Sequence, residues 1–337
     1  MAILVTGGAG FIGGHMVLEL LDAGEKVVVI DDLSTGFDWA VPNGVPLIIG
    51  DCGNTDLLAE TIIKYEVDEI IHFAAKIIVP ESVKYPLEYY LKNTANSRSL
   101  IDASQRGGVK KIIFSSTAAV YGDPATSPIH ESTDTKPLSP YGRSKLMVEW
   151  MLEDARKSHD ISYVVLRYFN VAGADPSGRY GQSTNNATHL IKLASKAALG
   201  FCDKLQVYGT NYHTPDGTCL RDYIQVTDLV RAHQNSLEYL RAGGESIICN
   251  CGYSRGFSVF EVIESVKRVS GKEFRVDICP RRSGDPASLI ASNDRIKNIM
   301  GWKPQYEDLD LIVKQALEWE MKLAIKNQLG REASNRI

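Results

Sequence analysis

Short aliphatic runs alternate with amphipathic stretches through the first half of the chain. The runs are "AILVTG", "KVVVIDD", "PLIIGD", "EIIHFAA", "KKIIFSS" and "SYVVLRYFN"; stretches such as "FIGGHMVLELLDAG" and "TDLLAETIIKYEV" lie between them. Runs rich in Val and Ile read as strands, and apolar positions recurring every three or four residues read as helices. Strands apolar on both faces and joined by helices predict an α/β fold with a doubly wound parallel sheet.

From about Ala172 the rhythm breaks. A polar, glycine-bearing loop, "AGADPSGRYGQSTNN", leads into less regular elements, among them "HLIKLASKAALG", "LQVYG", "FSVFEVIESVKRVSG" and "LDLIVKQALEWEMKLAIK". This predicts a smaller, interleaved C-terminal substrate domain over the carboxyl edge of the sheet, where open α/β folds bind ligands. The expected division is 1–172 for the first domain, with about 222–254 returning to it, and 173–221 with 255–337 for the second. "RDYIQVTDLVRAHQNSLEYL" and "ESIICNCG" supply the returning helix and strand.

Charge and cysteine usage then exclude several function classes. A net charge of −4 over 337 residues gives no general attraction to nucleic acid or anionic lipid. Cys52, Cys202, Cys219, Cys249, Cys251 and Cys279 show no C-x-x-C pair and no regular disulfide spacing, which suits reduced thiols. No charged leader precedes the first apolar run, and no apolar segment approaches the roughly 20 residues of a membrane span, so a cytoplasmic protein is expected. The seven histidines are scattered without ligand spacing, so no metal is expected.

The first chemical motif is "TGGAGFIG", between the first strand and the first helix. Gly7 permits a tight turn, Gly10 lets the backbone approach a pyrophosphate, and Gly13 allows close packing. The helix N-terminus beside them offers unpaired N–H groups and a positive dipole end. Asp31 ends the second strand about 20 residues later, where an acid accepts hydrogen bonds from a ribose diol. Asp31 and Asp32 together repel a 2′-phosphate, so the cofactor of this Rossmann-type domain is expected to be NAD. Asp51, ending the third strand, is a candidate for the adenine end or an ordinary strand-end cap.

The second motif is "SPYGRSK", in which Tyr141 and Lys145 stand four apart on one helix face. An ammonium beside a phenol favours the phenolate, which makes Tyr141 a candidate base. The third is "FSSTAAVYG": Ser115, Ser116 and Thr117 end the fifth strand at the same edge, and the composition leaves open which hydroxyl relays a proton to Tyr141.

The series "TGGAGFIG", "HFAA", "PLEYY" with Asn93, "FSSTAAVYG", "SPYGRSK", "LRYFNVAGADPSG", "GTCLRDYIQVTDL" and "RRSGDPASLIA" resembles the extended short-chain dehydrogenase/reductase superfamily, and within it the UDP-glucose 4-epimerases. The resemblance implies NAD-dependent epimerisation of a UDP-hexose by transient oxidation at C4. It implies Thr117, Tyr141 and Lys145 as the catalytic trio. It places Gly7, Gly10, Phe11, Ile12, Gly13, Asp31, Asp32, Leu33, Ser34, Thr35, Gly36, Asp51, Cys52, Phe73, Ala74, Ala75, Lys76, Ile77, Asn93 and Phe169 at cofactor positions. Asn170, Leu190, Gln206, Tyr208, Arg221, Arg282 and Asp285 fall at UDP-sugar positions, with Leu289 at the gate of the sugar pocket. Two arginines from separate segments suit a diphosphate.

The related dehydratases carry an Asp-Glu pair before "VYG"; here Ala118 and Ala119 stand there, which argues against elimination of water. Other readings are an epimerase acting mainly on UDP-N-acetylhexosamine or UDP-pentose, and a non-catalytic NAD-dependent sensor. Leu289 is intermediate in size between a gate that restricts the pocket to plain hexoses and one that admits N-acetyl groups. Lys76 and Ile77 stand in the reverse of the family's usual order, so the lysine's contact with the cofactor is a point for the structure. A homodimer is expected through the helices of "PLEYYLKNTANSRSL" and "SPYGRSKLMVEWMLEDA".

Overall fold

The computed structural model describes residues 1–184, 187–282 and 284–334. Its strands, in chain order, are β1 (Ala2–Thr6), β2 (Val27–Asp31), β3 (Leu47–Ile49), β4 (Val67–His72), β5 (Lys111–Ser115), β6 (Ser162–Tyr168), β7 (Asn170–Ala172), β8 (Leu205–Tyr208), β9 (Leu220–Gln225), β10 (Ile247–Cys251), β11 (Gly256–Ser258), β12 (Val276–Cys279) and β13 (Ser288–Leu289). The main sheet has the order β10-β6-β5-β4-β1-β2-β3, and all its pairs are parallel.

Every residue of β1 and β2 is buried, as the continuous apolar runs require. Alternate side chains serve opposite faces. Ile3, Val5, Val27 and Val29 pack with α1 (Phe11–Asp22), whereas Leu4, Val28 and Ile30 pack with α2 (Thr55–Tyr65). The following helices are α3 (Val79–Lys84), α4 (Pro86–Tyr89), α5 (Asn96–Arg106), α6 (Pro140–Ser158), α7 (Leu190–Ala198), α8 (Val226–Arg241), α9 (Val259–Ser270), α10 (Asp294–Met300) and α11 (Leu309–Ser334). A π turn over Tyr90–Ala95 joins α4 to α5.

Strand order reverses between β1 and β4, and ligands of open α/β sheets sit above such a switch point. Over that edge lie a small sheet of β11, β9 and β13, with β7 also pairing β9, and the parallel pair β8–β12. β10 runs beside β6 at one edge of the main sheet. Asp222, fully buried in β9, accepts from the backbone N–H groups of Tyr253 at 2.9 Å, Ser254 at 3.1 Å and Ala291 at 3.2 Å. That carboxylate ties the small sheet to the chain leaving β10.

Candidate active site

The glycine turn is folded tightly enough to exclude side chains. A Cβ on Gly13 would stand 2.1 Å from Gly7 O, and one on Gly7, whose φ is +70°, would stand 2.8 Å from Ala74 N. α1 starts at Phe11 with Gly10 as its cap and no capping side chain, so its first N–H groups face outward at the sheet edge. Donors without a capping side chain, beside a turn that admits no Cβ, fit the pyrophosphate of a dinucleotide.

Asp31 is buried beside them. Its carboxylate accepts from Ala9 N at 2.9 Å and Leu33 N at 2.8 Å, and burial pushes it above the usual carboxylate range. Two carboxylate oxygens keep lone pairs for a ribose diol after these bonds. Asp32 accepts from Ser34 N at 3.0 Å and from its hydroxyl, which shapes the loop through Thr35 to Gly36.

Asp51 is more heavily engaged than its sequence position suggests. It accepts from Gly53 N at 2.8 Å, from Asn96 Nδ2 and from Lys92 Nζ, and the lysine also stands 3.9 Å from Asp32. Lys92 holds the Asp51 carboxyl below its ordinary range, although burial opposes it. Burial also pushes the neighbouring Cys52 thiol up to about 12, so it stays protonated. Lys92 and Asn96 were not among the sequence candidates. Asn96 three residues after Asn93, on the same helix face, and Lys92 just before it are the only signal the chain offered.

The segment Phe73–Ile77 leaves β4 over the glycine turn, and Asn93 in the π turn holds it. Asn93 Oδ1 accepts from Lys76 N at 2.8 Å, while Nδ2 donates to Lys76 O at 2.9 Å and Ser144 Oγ at 3.0 Å. The side chain expected to touch the cofactor is thus committed to shaping the loop that would. The Lys76 side chain pairs with Glu81 at 3.2 Å and Glu88 at 2.6 Å, and Ile77 is exposed. The Lys76 ammonium is thus engaged by two carboxylates and lies 5.7 Å from the Tyr89 ring centroid.

Tyr141 and Lys145 both lie in α6, whose first turn is set by Pro140 and by Ser139 Oγ accepting from Gly142 N at 3.2 Å. Both side chains are buried, Lys145 with 3% of its surface accessible. Its Nζ stands 4.5 Å over the Phe114 ring. Burial lowers Lys145 to about 7, opposed by Glu149. Burial raises Tyr141, opposed by the Thr117 hydroxyl. The sequence led us to expect the lysine to pull the phenol down. Desolvation instead dominates both groups, so a further positive charge at the phenol is needed to make it a base.

The three hydroxyls separate by partner. His233 Nδ1 donates to Leu229 O at 2.9 Å, which leaves Nε2 as the acceptor of the Ser115 hydroxyl at 2.7 Å. Ser116 donates to Glu149 Oε1. Thr117 Oγ1 accepts from Ala119 N at 3.1 Å and is the hydroxyl that reaches Tyr141. His233 and Glu149 are the partners that sequence reading missed; Glu149, one turn beyond Lys145, was visible in the spacing, whereas His233 lies 118 residues from Ser115.

The substrate-side candidates fall in two groups. Asn170 and Leu190 line one cavity together with His189, Lys192 and Trp319. Arg282 and Asp285 line a second opening, facing Asp123 and Leu138. On β8 the Tyr208 hydroxyl donates to Gln206 Oε1 at 2.9 Å, and the Arg282 guanidinium lies 3.8 Å from the Tyr208 ring centroid. Arg221 pairs with Asp285 and also donates to Leu220 O at 2.7 Å. Leu289 is Arg221's register partner, and it packs against a buried group that includes Phe169, Ala118 and Leu146. A second buried ion pair, Lys192 with Glu320, joins α7 to α11, and Lys192 also donates to Gln182 O.

Residues 3–252 match the NAD dependent epimerase/dehydratase family. A UDP-glucose 4-epimerase of Azospirillum brasilense is 53% identical over 321 residues, covering 95% of this chain and 92% of that protein. The structure of UDP-glucose 4-epimerase from Brucella ovis in complex with NAD superposes with a TM-score of 0.91 at 43% identity, over 94% of this chain and 97% of that one. The UDP-Glc/GlcNAc 4-epimerase of Campylobacter jejuni superposes with a TM-score of 0.84 at 44% identity, over 95% and 99%. The doubly wound parallel sheet expected from the sequence is the one observed, and the glycine turn with its acid fits the NAD seen in the Brucella protein. On this agreement of sequence, fold and site, the chain belongs to the NAD dependent epimerase/dehydratase family, among its UDP-glucose 4-epimerases.

Proposed function

We propose that the protein interconverts UDP-galactose and UDP-glucose by reversible oxidation at C4 of the sugar. What supports this reading is that Tyr141 and Lys145 are both buried, one turn apart in α6, with the Thr117 hydroxyl close to the phenol, while Ser115 and Ser116 are tied to His233 and Glu149. NAD, when bound, would supply reversible hydride chemistry and a positive charge. Gly7, Gly10, Gly13 and the α1 N-terminus would hold its pyrophosphate, Asp31 its adenosine ribose, and Lys145 its nicotinamide ribose. Tyr141 takes the proton of the 4-hydroxyl, directly or through Thr117, and returns it after the keto sugar has turned over.

Arg221 and Arg282 anchor the diphosphate while the sugar moves, and Asp285 accepts from the uridine ribose. The unit formed by 173–221 and 255–337 carries these groups, and 1–172 with 222–254 carries the cofactor. Ala118 and Ala119 place no acid beside the reacting carbons, which disfavours dehydration.

The test is product analysis after incubation with UDP-galactose, UDP-N-acetylgalactosamine and a UDP-pentose, without added NAD. UDP-glucose should form from UDP-galactose in preference to turnover of the other sugars, and Tyr141→Phe should lower the rate at least ~100-fold. Wild-type turnover by Tyr141→Phe would remove the base from the mechanism.

The same reading includes a homodimer in the cytoplasm. Val79 and Val83, Leu87 and Leu91 recur at four-residue spacing along α3, α4 and the π turn and are exposed, as is Trp150 on α6, which packs beside them. An apolar face of this kind on a globular chain favours a partner, and six unpaired cysteines suit a reducing compartment.

A further inference from the structure

Beneath the hydroxyls of β5 lies a charge that the reaction does not consume. Glu149 follows Lys145 by one turn of α6 and is 3% exposed. Its carboxylate accepts the Ser116 hydroxyl at 2.5 Å, and the Arg167 guanidinium of β6 donates to it from Nε at 3.1 and 3.2 Å and from NH2 at 2.5 Å. Arg167 also donates to the Tyr121 hydroxyl at 3.0 Å, and that hydroxyl donates to Asn250 Oδ1 at 2.7 Å. One ion pair thereby ties together β5, β6, β10, α6 and the turn that presents Thr117.

A buried pair of this quality is a weak source of net stability, because desolvating both charges offsets most of their attraction. Its position gives it another use. Tyr141, Lys145 and Glu149 stand at successive turns of one helix face. The Lys145 ammonium has no hydrogen-bond partner among the described residues and only the Phe114 ring beneath it.

We infer that Glu149 is a positioning residue for the epimerisation proposed above: clamped by Arg167 and Ser116, its carboxylate holds Lys145 in the ammonium form and fixes the strand end that carries Thr117. The other groups facing Lys145 do not replace it. His72 of β4 lies behind Phe114 and is lowered to about 3, hence neutral. The Cys52 thiol stays protonated, and Tyr141 is neutral until the cofactor's charge reaches it. Removing Glu149 alone takes its attraction away from Lys145 and leaves the buried Arg167 guanidinium without its counter-ion.

The experiment uses the NAD-bound enzyme and compares wild type, Glu149→Gln, and Glu149→Gln combined with Arg167→Met. Glutamine keeps the acceptor for Ser116 and loses the charge. Two readouts are followed against pH: kcat for UDP-galactose, and the near-ultraviolet phenolate band of Tyr141, taken as the difference from the matching Tyr141→Phe protein. In Glu149→Gln the alkaline loss of kcat should move down by about one pH unit and the phenolate band should appear about one unit higher, narrowing the active range.

In the double variant, which also serves where the single one does not accumulate folded, both limits should lie between those of wild type and Glu149→Gln, or inside the wild-type limits where only the double is obtained. A lower melting temperature with both pH limits unmoved would overturn the role given to Glu149, leaving it a structural pair. Turnover that survives Tyr141→Phe would instead overturn the base on which the inference rests.

Discussion

Lys145 illustrates what one buried charge costs and what it is for. Its ordinary value is 10.5 and the folded chain lowers it to about 7. The unfolded chain therefore binds more protons than the folded one between those values, and stability rises with pH across that window. Below pH 7 the penalty is fully present; above 10.5 it is gone. At pH 7 the penalty is about 4 kcal/mol. Lys145→Met, compared with wild type after both are freed of nucleotide, should be about 4 kcal/mol more stable at pH 7 in urea unfolding, with the gap closing toward pH 10. The same variant should lose turnover. Equal stabilities at pH 7 would mean that the ammonium is solvated in the fold.

The residue scale also shows where sequence reading runs out. Tyr141 and Lys145 were legible because their spacing is local to one helix. That Ser115 and Ser116 are occupied was not, because their partners arrive through tertiary packing, His233 from α8 and Glu149 held in place by Arg167. The Arg221–Asp285 pair was hidden for the same reason, since 64 residues separate its members.

At the scale of elements, "PLEYYLKNTANSRSL" reads as helix, and α4, the π turn and α5 form one unbroken helical run. The extra residue in the turn at Tyr90–Ala95 has no signature in the periodicity, since it answers to what packs outside the helix. Its product is the placement of Asn93 against both backbone groups of Lys76. Asn93→Ala leaves those partly buried groups unpaired and should cost about 1–2 kcal/mol in chemical denaturation. The loop over the cofactor would loosen with it, so purified Asn93→Ala should carry less bound NAD after gel filtration than wild type. Retention equal to wild type would show that the loop is fixed by other contacts.

For the molecule as a whole, the alternation of strands and helices was enough to give the main sheet. The smaller elements beyond it were harder, because β7, β11 and β13 are two or three residues long and draw their register from β9 rather than from their own sequences. The proposed dimer is a prediction at this scale: Leu87→Glu with Leu91→Glu puts charge on the exposed face and should halve the mass measured by light scattering. An unchanged mass would place the partner surface elsewhere.

The Arg221–Asp285 pair has a consequence for how tightly product is held. On the proposed reading, a diphosphate reaching Arg221 would not meet a bare cation; it would displace Asp285, releasing it to accept a ribose hydroxyl. Binding would then be an exchange of partners in which one ion pair is surrendered for another, and departure would restore the first. The attraction is self-limiting. A site built this way grips either sugar nucleotide firmly enough to let the hexose swing beneath it, yet lets both leave, as a catalyst that works toward equilibrium from either side must.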